Sequence, residues 1–316
     1  MLQRWVRMAS PRRRRPLRLG LAALCALTAC AQRHESSVVD PVSVQVARLE
    51  AEALLAAALD PVPQSEAERA SRLVELFELA GCPKAQLFLA RIRGSRNQHI
   101  VCALPGASEH SILVGAQTGG TRFGSPASDD WSGLSMLPLL YRALAGTPRE
   151  HGFLFAGLGD DAGDPLGSES ELESMRPIDR AQLAAIVNLR GLGLGSSAVW
   201  SSVADPDLRL DLVSVSRSLG LELRHVDLSR APEQNRRVRR SPWSAQGEAR
   251  AFRRYQIPSI TIHSYDRETA RLLTRAPREE KANLFRREAY AETLRLVSVY
   301  LGYLDQTLAL RRGRGY

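Results

Sequence analysis

Short apolar runs of the kind found in buried strands alternate along this chain with segments of helical spacing. Residues 111–115, 152–158 and 257–263 are predicted strands, and a predicted helix over residues 133–145 separates the first two. Strands that are buried on both faces and joined through helices are typical of a parallel sheet with helices packed against it. The pattern therefore predicts an α/β fold.

The segments on either side of these runs complete the predicted sheet. Residues 42–60 and a second segment starting at Ser65 have helical spacing, and two strand-like runs joined by a polar turn follow them at 86–93 and 99–104. Further predicted elements are a helix end that runs into a strand within 182–191, a helix over 207–219, a strand over 221–226 and a closing helix over 282–308. We expect a mainly parallel mixed sheet with an antiparallel N-terminal hairpin, flanked by helices on both faces.

The first 29 residues have the composition of a secretory signal. They contain seven arginines and no acidic residue, and their apolar run is too short to span a bilayer as a helix. The run ends in Leu27-Thr28-Ala29-Cys30, which resembles the lipobox of bacterial lipoprotein precursors. The resemblance implies that Cys30 carries the lipid and that the protein is anchored in the cell envelope. Ala31 after the cysteine favours the outer membrane, with the chain facing the periplasm.

The rest of the chain is organised as one large domain. Residues 30–40 form a polar tether, 41–310 the domain and 311–316 a basic tail. Without the seven arginines of the signal, 36 Lys and Arg stand against 34 Asp and Glu, so the charge gives no reason to expect a nucleic-acid partner. Cys82 and Cys102 remain in an oxidising compartment, either as a disulfide or as two buried free thiols.

Polar loops follow three of the predicted strands, where an α/β sheet forms its binding sites. Their order resembles the co-catalytic zinc peptidase family of bacterial leucyl aminopeptidases, glutamate carboxypeptidases and glutaminyl cyclases. The family pattern of Val-Gly-Ala-His-x-Asp, Asp-Asp-Asn-x-Ser-Gly, Glu-Glu-x-Gly, Asn-Leu-Asp, Phe-x-x-x-Gly-Ile-Pro and His-Thr-Pro-x-Asp is matched in order at residues 114–119, 129–133, 160–163, 188–190, 252–258 and 275–279. The resemblance covers about residues 65–308 and implies the family's fold.

The resemblance also assigns the residues of the family's two-zinc site. Asp129 falls on the bridging ligand, Asp161 on a metal ligand and Asp160 on the general base. Three other ligand positions are replaced, by Gln117, Arg190 and Arg275. Zinc is bound by nitrogen, sulfur and oxygen lone pairs, whereas arginine has five donors and no acceptor and stays protonated. We therefore expect the two-zinc site to be lost, with no cofactor bound.

This pattern predicts an envelope lipoprotein that acts in binding or scaffolding. Its partners would be the lipid bilayer, through Cys30, and an envelope protein or peptide ligand. The alternative is an active metal-dependent peptidase with zinc on a reduced ligand set of Asp129, Asp161 and His263. Each of these residues also has a purely structural interpretation. His263 would be a histidine of the core or of the sheet edge, Asp129 would be part of a helix cap, and Asp160 and Asp161 would be turn residues.

Overall fold

One eight-stranded sheet with helices packed on it forms the domain. The computed structural model describes residues 48–60, 62–63, 65–91, 98–118, 129–159, 172, 175, 177–194, 199–202, 205–225, 254–264 and 284–313. The strands are β1 (Leu87–Arg91), β2 (Gln98–Leu104), β3 (Ser111–Gln117), β4 (Gly152–Leu158), β5 (Leu183–Leu189), β6 (Val199–Ser202), β7 (Leu223–His225) and β8 (Ser259–His263). The helices are α1 (Arg48–Leu59), α2 (Glu66–Leu79), α3 (Asp129–Ala145), α4 (Pro177–Ala181), α5 (Pro206–Ser218) and α6 (Arg287–Gly313).

The strands lie in the order β1-β2-β4-β3-β5-β8-β6-β7. The four central strands β4, β3, β5 and β8 are parallel to one another, while β2 is antiparallel to both β1 and β4. The predicted mainly parallel sheet with an antiparallel N-terminal pair is therefore confirmed. Strand β6 was not predicted from the sequence; it pairs antiparallel with β8 and separates it from β7.

Two of the helices, α2 and α5, begin at residues whose side chains cap them. Ser65 and Glu68 form a capping box at the start of α2, each accepting a hydrogen bond from the other's backbone N–H. The Asp205 carboxylate accepts the N–H groups of Asp207 and Leu208 at the start of α5. In the described part of the chain, no helix is long and apolar enough to cross a membrane.

Alternation along the strands divides the core between the two faces of the sheet. The larger cluster includes Val114 and Val187 and packs against every helix except α4. The smaller cluster, on the opposite face, includes Leu113, Leu158 and Ile186, and residues outside the sheet such as Met175 cover it. The short helix α4 also contacts β5.

Cys82 and Cys102 form a disulfide, which decides between the two possibilities that the sequence leaves open. Cys82 follows α2, and Cys102 lies in β2, so the bond ties the end of a helix to the sheet. Both residues are buried in the larger core cluster. The disulfide therefore crosslinks the region where the antiparallel pair joins the rest of the fold.

The last helix ends five residues beyond its predicted end at residue 308. Arg311 lies inside α6, where its guanidinium donates to the Asp211 carboxylate of α5 at 2.9 Å. Thr307, one turn earlier, donates to the same carboxylate at 3.3 Å. These contacts extend the helix into the segment that the sequence predicts as a basic tail.

A buried carboxylate joins α6 to the start of β4. Asp305 accepts hydrogen bonds from the backbone N–H groups of Glu150 and His151 at 2.9 and 2.7 Å, and its Oδ1 lies 2.8 Å from the His151 Nδ1. Burial by itself would raise the pKa of Asp305, but the hydrogen bonds from His151 and Glu150 outweigh it and lower the pKa below its usual value.

Replacing Asp305 with asparagine should lower the free energy of unfolding at pH 7 by about 2 kcal/mol, because an amide faces three donors with one acceptor oxygen fewer. A depressed folded pKa contributes stability above the unfolded pKa of about 3.9, and this contribution is lost as the pH falls through the folded value. Denaturant unfolding between pH 7 and pH 3 should therefore show a weaker acid dependence in Asp305→Asn. Glu78→Gln, at an exposed carboxyl of α2, should match wild type; an unchanged acid slope in Asp305→Asn would contradict the assignment.

Candidate functional site

The ends of the central strands bring three of the predicted residues, Gln117, Arg190 and His263, to one edge of the sheet, called here the carboxyl edge. Gln117 ends β3 and pairs in register with Leu158 of β4. Gly115 pairs with Asn188, so Arg190, two residues further along, lies level with Gln117. The Arg190 N–H donates to Ile262 O at 3.0 Å, and His263 follows at the end of β8. Gln117, Arg190 and His263 are therefore consecutive across the sheet, with about 4.8 Å between strands.

These three residues share the face of the sheet that carries the smaller core cluster. Alternation places Gln117 with Leu113, and Arg190 with Ile186. They are almost fully enclosed, with exposed fractions of 5% for Gln117, 6% for Arg190 and 0% for His263. Each of the three residues makes at least one hydrogen bond or other polar or ring contact besides the backbone pairing described above. The sequence predicted Gln117 and Arg190 at the ends of separate strands, and in the structure they lie at the ends of the adjacent strands β3 and β5.

The chemistry of this row does not fit the two-zinc ligand set of the resembling family. A guanidinium has no lone pair to donate to a metal ion, and its fixed positive charge repels one. A glutamine amide oxygen is a weaker zinc ligand than the imidazole nitrogens and carboxylates of known sites. Within the described ranges, no group of three or more His, Cys, Asp and Glu residues is arranged to hold a metal ion.

Asp129 begins α3, whose first turns are fitted closely to the carboxyl edge. The backbone of Gly133 approaches β5 so closely that a Cβ there would lie 2.6 Å from Leu189 O. The Ser132 hydroxyl accepts the Leu192 N–H at 2.9 Å, which holds the turn after Arg190 against the same helix. Only the backbone of Asp129 is described, so its role as a bridging ligand stays a prediction.

Asp160, Asp161 and Arg275 lie outside the described residues, and their predicted roles remain predictions. The residue before Asp160 is held in place, because Gly159 N–H donates to the His99 Nδ1 at 3.1 Å. Burial lowers the pKa of His99 to about 4, so the ring is neutral at pH 7. Since Nδ1 accepts, the ring hydrogen lies on Nε2. No role was predicted for His99 from the sequence, although it lies two residues before the buried Val101 and therefore on the same face of β2.

Arg69 is a second arginine at the carboxyl edge that the sequence analysis missed. Its Nε donates to Thr118 O at 2.7 Å, directly after β3, and only 2% of the residue is exposed. The Thr118 hydroxyl donates to the Glu66 carboxylate at 3.1 Å. A signal for Arg69 was present in the sequence, since it precedes Leu73 and Leu76 on the apolar stripe of α2.

His263 is followed by a hydroxyl network that joins β8 to the neighbouring elements. The Ser264 hydroxyl accepts the Gly193 N–H at 3.1 Å and lies 3.4 Å from the Thr293 hydroxyl of α6. His263 is thus a fully buried strand residue at the carboxyl edge, beside Arg190 in the row. This position fits the interpretation of His263 as a core histidine. A role of His263 as a metal ligand remains a prediction.

No protein-family model matches the sequence, and no curated protein matches it. Solved structures do match. LapA aminopeptidase from Legionella pneumophila aligns over 92% of this chain and 80% of its own, at 13% identity and a TM-score of 0.64. A glutaminyl cyclase from an Acidobacteriales bacterium aligns over 89% of this chain and 100% of its own, at 12% identity and a TM-score of 0.57.

A zinc aminopeptidase from Bacillus subtilis, BSAP, aligns over 65% of this chain at 16% identity and a TM-score of 0.53. This chain spans about half of that enzyme, 49% of its length. At these identities the likeness concerns the fold alone. The chain has the fold of the co-catalytic zinc exopeptidases, which the zinc aminopeptidases and glutaminyl cyclase among its structural neighbours share.

Proposed function

We propose that this protein is a lipid-anchored envelope protein whose zinc-exopeptidase-like domain has lost its two-zinc site and acts by binding a ligand. One observation carries the proposal. Arg190, a buried cation, stands between Gln117 and His263 in the row across the carboxyl edge, where the resembling family has an aspartate ligand. A site that holds a fixed positive charge there is suited to binding rather than to zinc-dependent hydrolysis.

The replacements keep the charge balance that a metal would otherwise supply. Asp129, Asp160 and Asp161 retain carboxylates at three family positions, and carboxylates buried at such an edge need a positive partner. Arg190, and Arg275 at a second replaced position, bring that charge without metal. The domain would thereby retain the family's fold as a pseudoenzyme that recognises an envelope protein or peptide.

The anchor is the part of the proposal that rests on the N-terminal sequence. Cys30 would carry the lipid, and residues 30–40 would tether the domain to the outer membrane on its periplasmic side. The disulfide between Cys82 and Cys102 supports an oxidising compartment, because such bonds persist mainly outside the cytosol.

The metal-free state is tested by zinc analysis and by an activity assay on the protein purified without added zinc. We expect less than one zinc per chain and no hydrolysis of aminoacyl-anilides, because Gln117 and Arg190 remove ligands from one metal and Arg275 removes a ligand from the other. Stoichiometric zinc, together with hydrolysis that is lost in Asp160→Asn, would overturn the proposal and make Asp160 the general base.

The anchor is tested by Cys30→Ser. Serine lacks the thiol that accepts the lipid, so this variant should accumulate as an uncleaved precursor or in the soluble fraction, whereas wild type should stay with the membranes. Cys82→Ser, which removes a cysteine of the disulfide, should remain lipidated and serves as the control. Retention of Cys30→Ser in membranes after high-salt and carbonate washing would exclude Cys30 as the anchor.

The second candidate is an active metal-dependent peptidase with a reduced site. It is favoured by the placement of His263, which lies fully buried at the carboxyl edge and would join Asp129 and Asp161 as a ligand. The same zinc analysis separates the two candidates, with His263→Ala as the deciding variant. If the protein is a peptidase with a reduced site, wild type should bind zinc and His263→Ala should not. If it is a metal-free binding domain, neither protein should contain stoichiometric zinc.

A further inference from the structure

His99 extends the row of the carboxyl edge to a further strand. In the antiparallel pairing of β2 with β4, His99 lies level with Leu158, which pairs with Gln117 of β3. Alternation places the imidazole on the face of the smaller core cluster, with Val101 of the same strand. Only 2% of the residue is exposed. The row that contains Gln117 and Arg190 therefore continues through Leu158 to a buried histidine.

A chain of hydrogen bonds runs from His99 along the carboxyl edge. The Gly159 N–H donates to the His99 Nδ1 at 3.1 Å. The carbonyl of the preceding residue, Leu158, accepts the Thr118 N–H at 2.8 Å and the Thr118 hydroxyl at 3.3 Å. The Thr118 carbonyl in turn accepts the Arg69 Nε–H at 2.7 Å. The end of β4 thus connects β2 to the end of β3 and to α2.

Apolar groups flank His99 on its own face of the sheet. Its strand neighbours there are Ala90 of β1 and Leu158 of β4, which both belong to the smaller core cluster. Arg91 alternates to the other face of β1, and Arg190 lies three strands away, about 14 Å by the strand spacing.

The other charged groups near β2 lie on the opposite face or at the other edge of the sheet. The helices α2 and α3 pack on the opposite face, where Glu66 and Arg69 reach the carboxyl edge by their contacts with Thr118. Lys84, in the turn before β1, lies at the other edge. A carboxylate beside the ring would raise the pKa of His99, whereas burial lowers this pKa, so no negative charge is close enough to offset the burial.

Protonation of His99 would disrupt this arrangement in two ways. A charged imidazole carries a hydrogen on both nitrogens, so Nδ1 can no longer accept the Gly159 N–H. The charge would also be enclosed among apolar groups, which is why burial lowers the pKa of His99 from 6.5 to about 4. If the end of β4 opens and the ring meets water, its pKa returns to about 6.5. The intact edge is therefore fully favoured above about pH 6.5 and loses stability relative to the open form as the pH falls to about 4.

We propose that the contact between His99 and Gly159 is a pH-dependent switch, which holds the end of β4 against β2 while the ring is neutral and releases it when the ring is protonated. The release passes from Gly159 to Leu158 and Thr118, and so reaches the end of β3 beside Gln117. The switch goes beyond the proposed function, because it concerns the pH range in which the carboxyl edge keeps its shape. It applies equally to a binding domain and to a peptidase.

The test is hydrogen exchange of the whole chain in a non-ionic detergent, resolved to single amides by NMR at pH 7.5 and at pH 5. Protection factors are compared, because they remove the chemical effect of pH on the exchange rate. The protection factor of Gly159 should fall roughly 25-fold at pH 5, the change in the opening equilibrium for a histidine with a pKa of about 4 in the intact edge and about 6.5 in the open form. Thr118 should also lose protection, whereas the amides of β5 should keep theirs. A constant protection factor at Gly159, or an equal loss throughout β5, would overturn the proposal.

His99→Asn separates the titration from the hydrogen bond. The asparagine Oδ1 replaces Nδ1 as the acceptor for the Gly159 N–H and does not titrate, so Gly159 should be equally protected at pH 7.5 and pH 5. His99→Ala removes the acceptor and should leave Gly159 weakly protected at both pH values. His110→Asn, at a partly buried histidine just before β3, is the matched control and should show the wild-type loss of protection. A loss on acidification that persists in His99→Asn would assign the pH dependence to another group and reject the switch.

Discussion

Replacing Arg190 with alanine is expected to lower the free energy of unfolding by roughly 3 kcal/mol or more, the usual effect of stripping the partner from a buried charge. Arg190 is 6% exposed and stands at the end of β5, between the strands that carry Gln117 and His263. We predict that its guanidinium lies within about 4 Å of Asp129 or of the pair Asp160 and Asp161. Denaturant unfolding of wild type and Arg190→Ala measures the loss.

Two further variants separate the charge of Arg190 from its packing. Arg190→Met retains most of the side-chain volume, so an equally large loss would assign the effect to the missing charge. Arg217→Ala, at an exposed arginine of α5, should change the free energy of unfolding by less than about 0.5 kcal/mol. An experimental structure with the Arg190 guanidinium more than about 8 Å from all three carboxylates would reject this role and leave the fold unaffected.

The same position allows the family's metal chemistry to be rebuilt. Arg190→Asp alone should be less stable than Arg190→Ala, since it adds a carboxylate where a cation stood. Combined with Gln117→His it restores two ligand types of the zinc family, so weak zinc binding should appear in the double variant. Zinc titration of the single and double variants measures this gain.

Loss of the disulfide is the second large effect that we expect. Cys82 and Cys102 are 20 residues apart in sequence, and release of a loop of this length raises the entropy of the unfolded chain enough to cost about 3 kcal/mol. The double variant Cys82→Ala/Cys102→Ala should therefore unfold at a clearly lower denaturant concentration than wild type. Equilibrium unfolding followed by circular dichroism measures the difference.

Reductant provides the control for the disulfide. Dithiothreitol should shift the unfolding of wild type towards that of the double variant and should leave the double variant unchanged. If wild type and the double variant unfold at the same denaturant concentration without reductant, the bond does not stabilise the domain. A shift that reductant causes in both proteins would point to a different thiol.

The sequence by itself determined the sheet and the edge at which the site lies. The runs that became β3 and β4 are largely apolar on both faces, and this pattern is typical of strands covered on both sides. Parallel strands necessarily place their carboxyl ends together, so Gln117 and Arg190 could be assigned to one edge from the sequence. The four-residue strand β6 escaped prediction because its length is too short for a periodic signal.

Only the tertiary structure decided which side chains meet across that edge. The disulfide depends on two residues of different elements approaching within bonding distance, which composition leaves open. Arg69 belongs to α2 by sequence and to the site by its bond to Thr118, 49 residues away. His99 likewise joins the site through Gly159, 60 residues away. Local spacing gives the period of a helix or strand, whereas these contacts follow from how helices and strands pack, so the positions of Arg69 and His99 at the site became visible only in the folded chain.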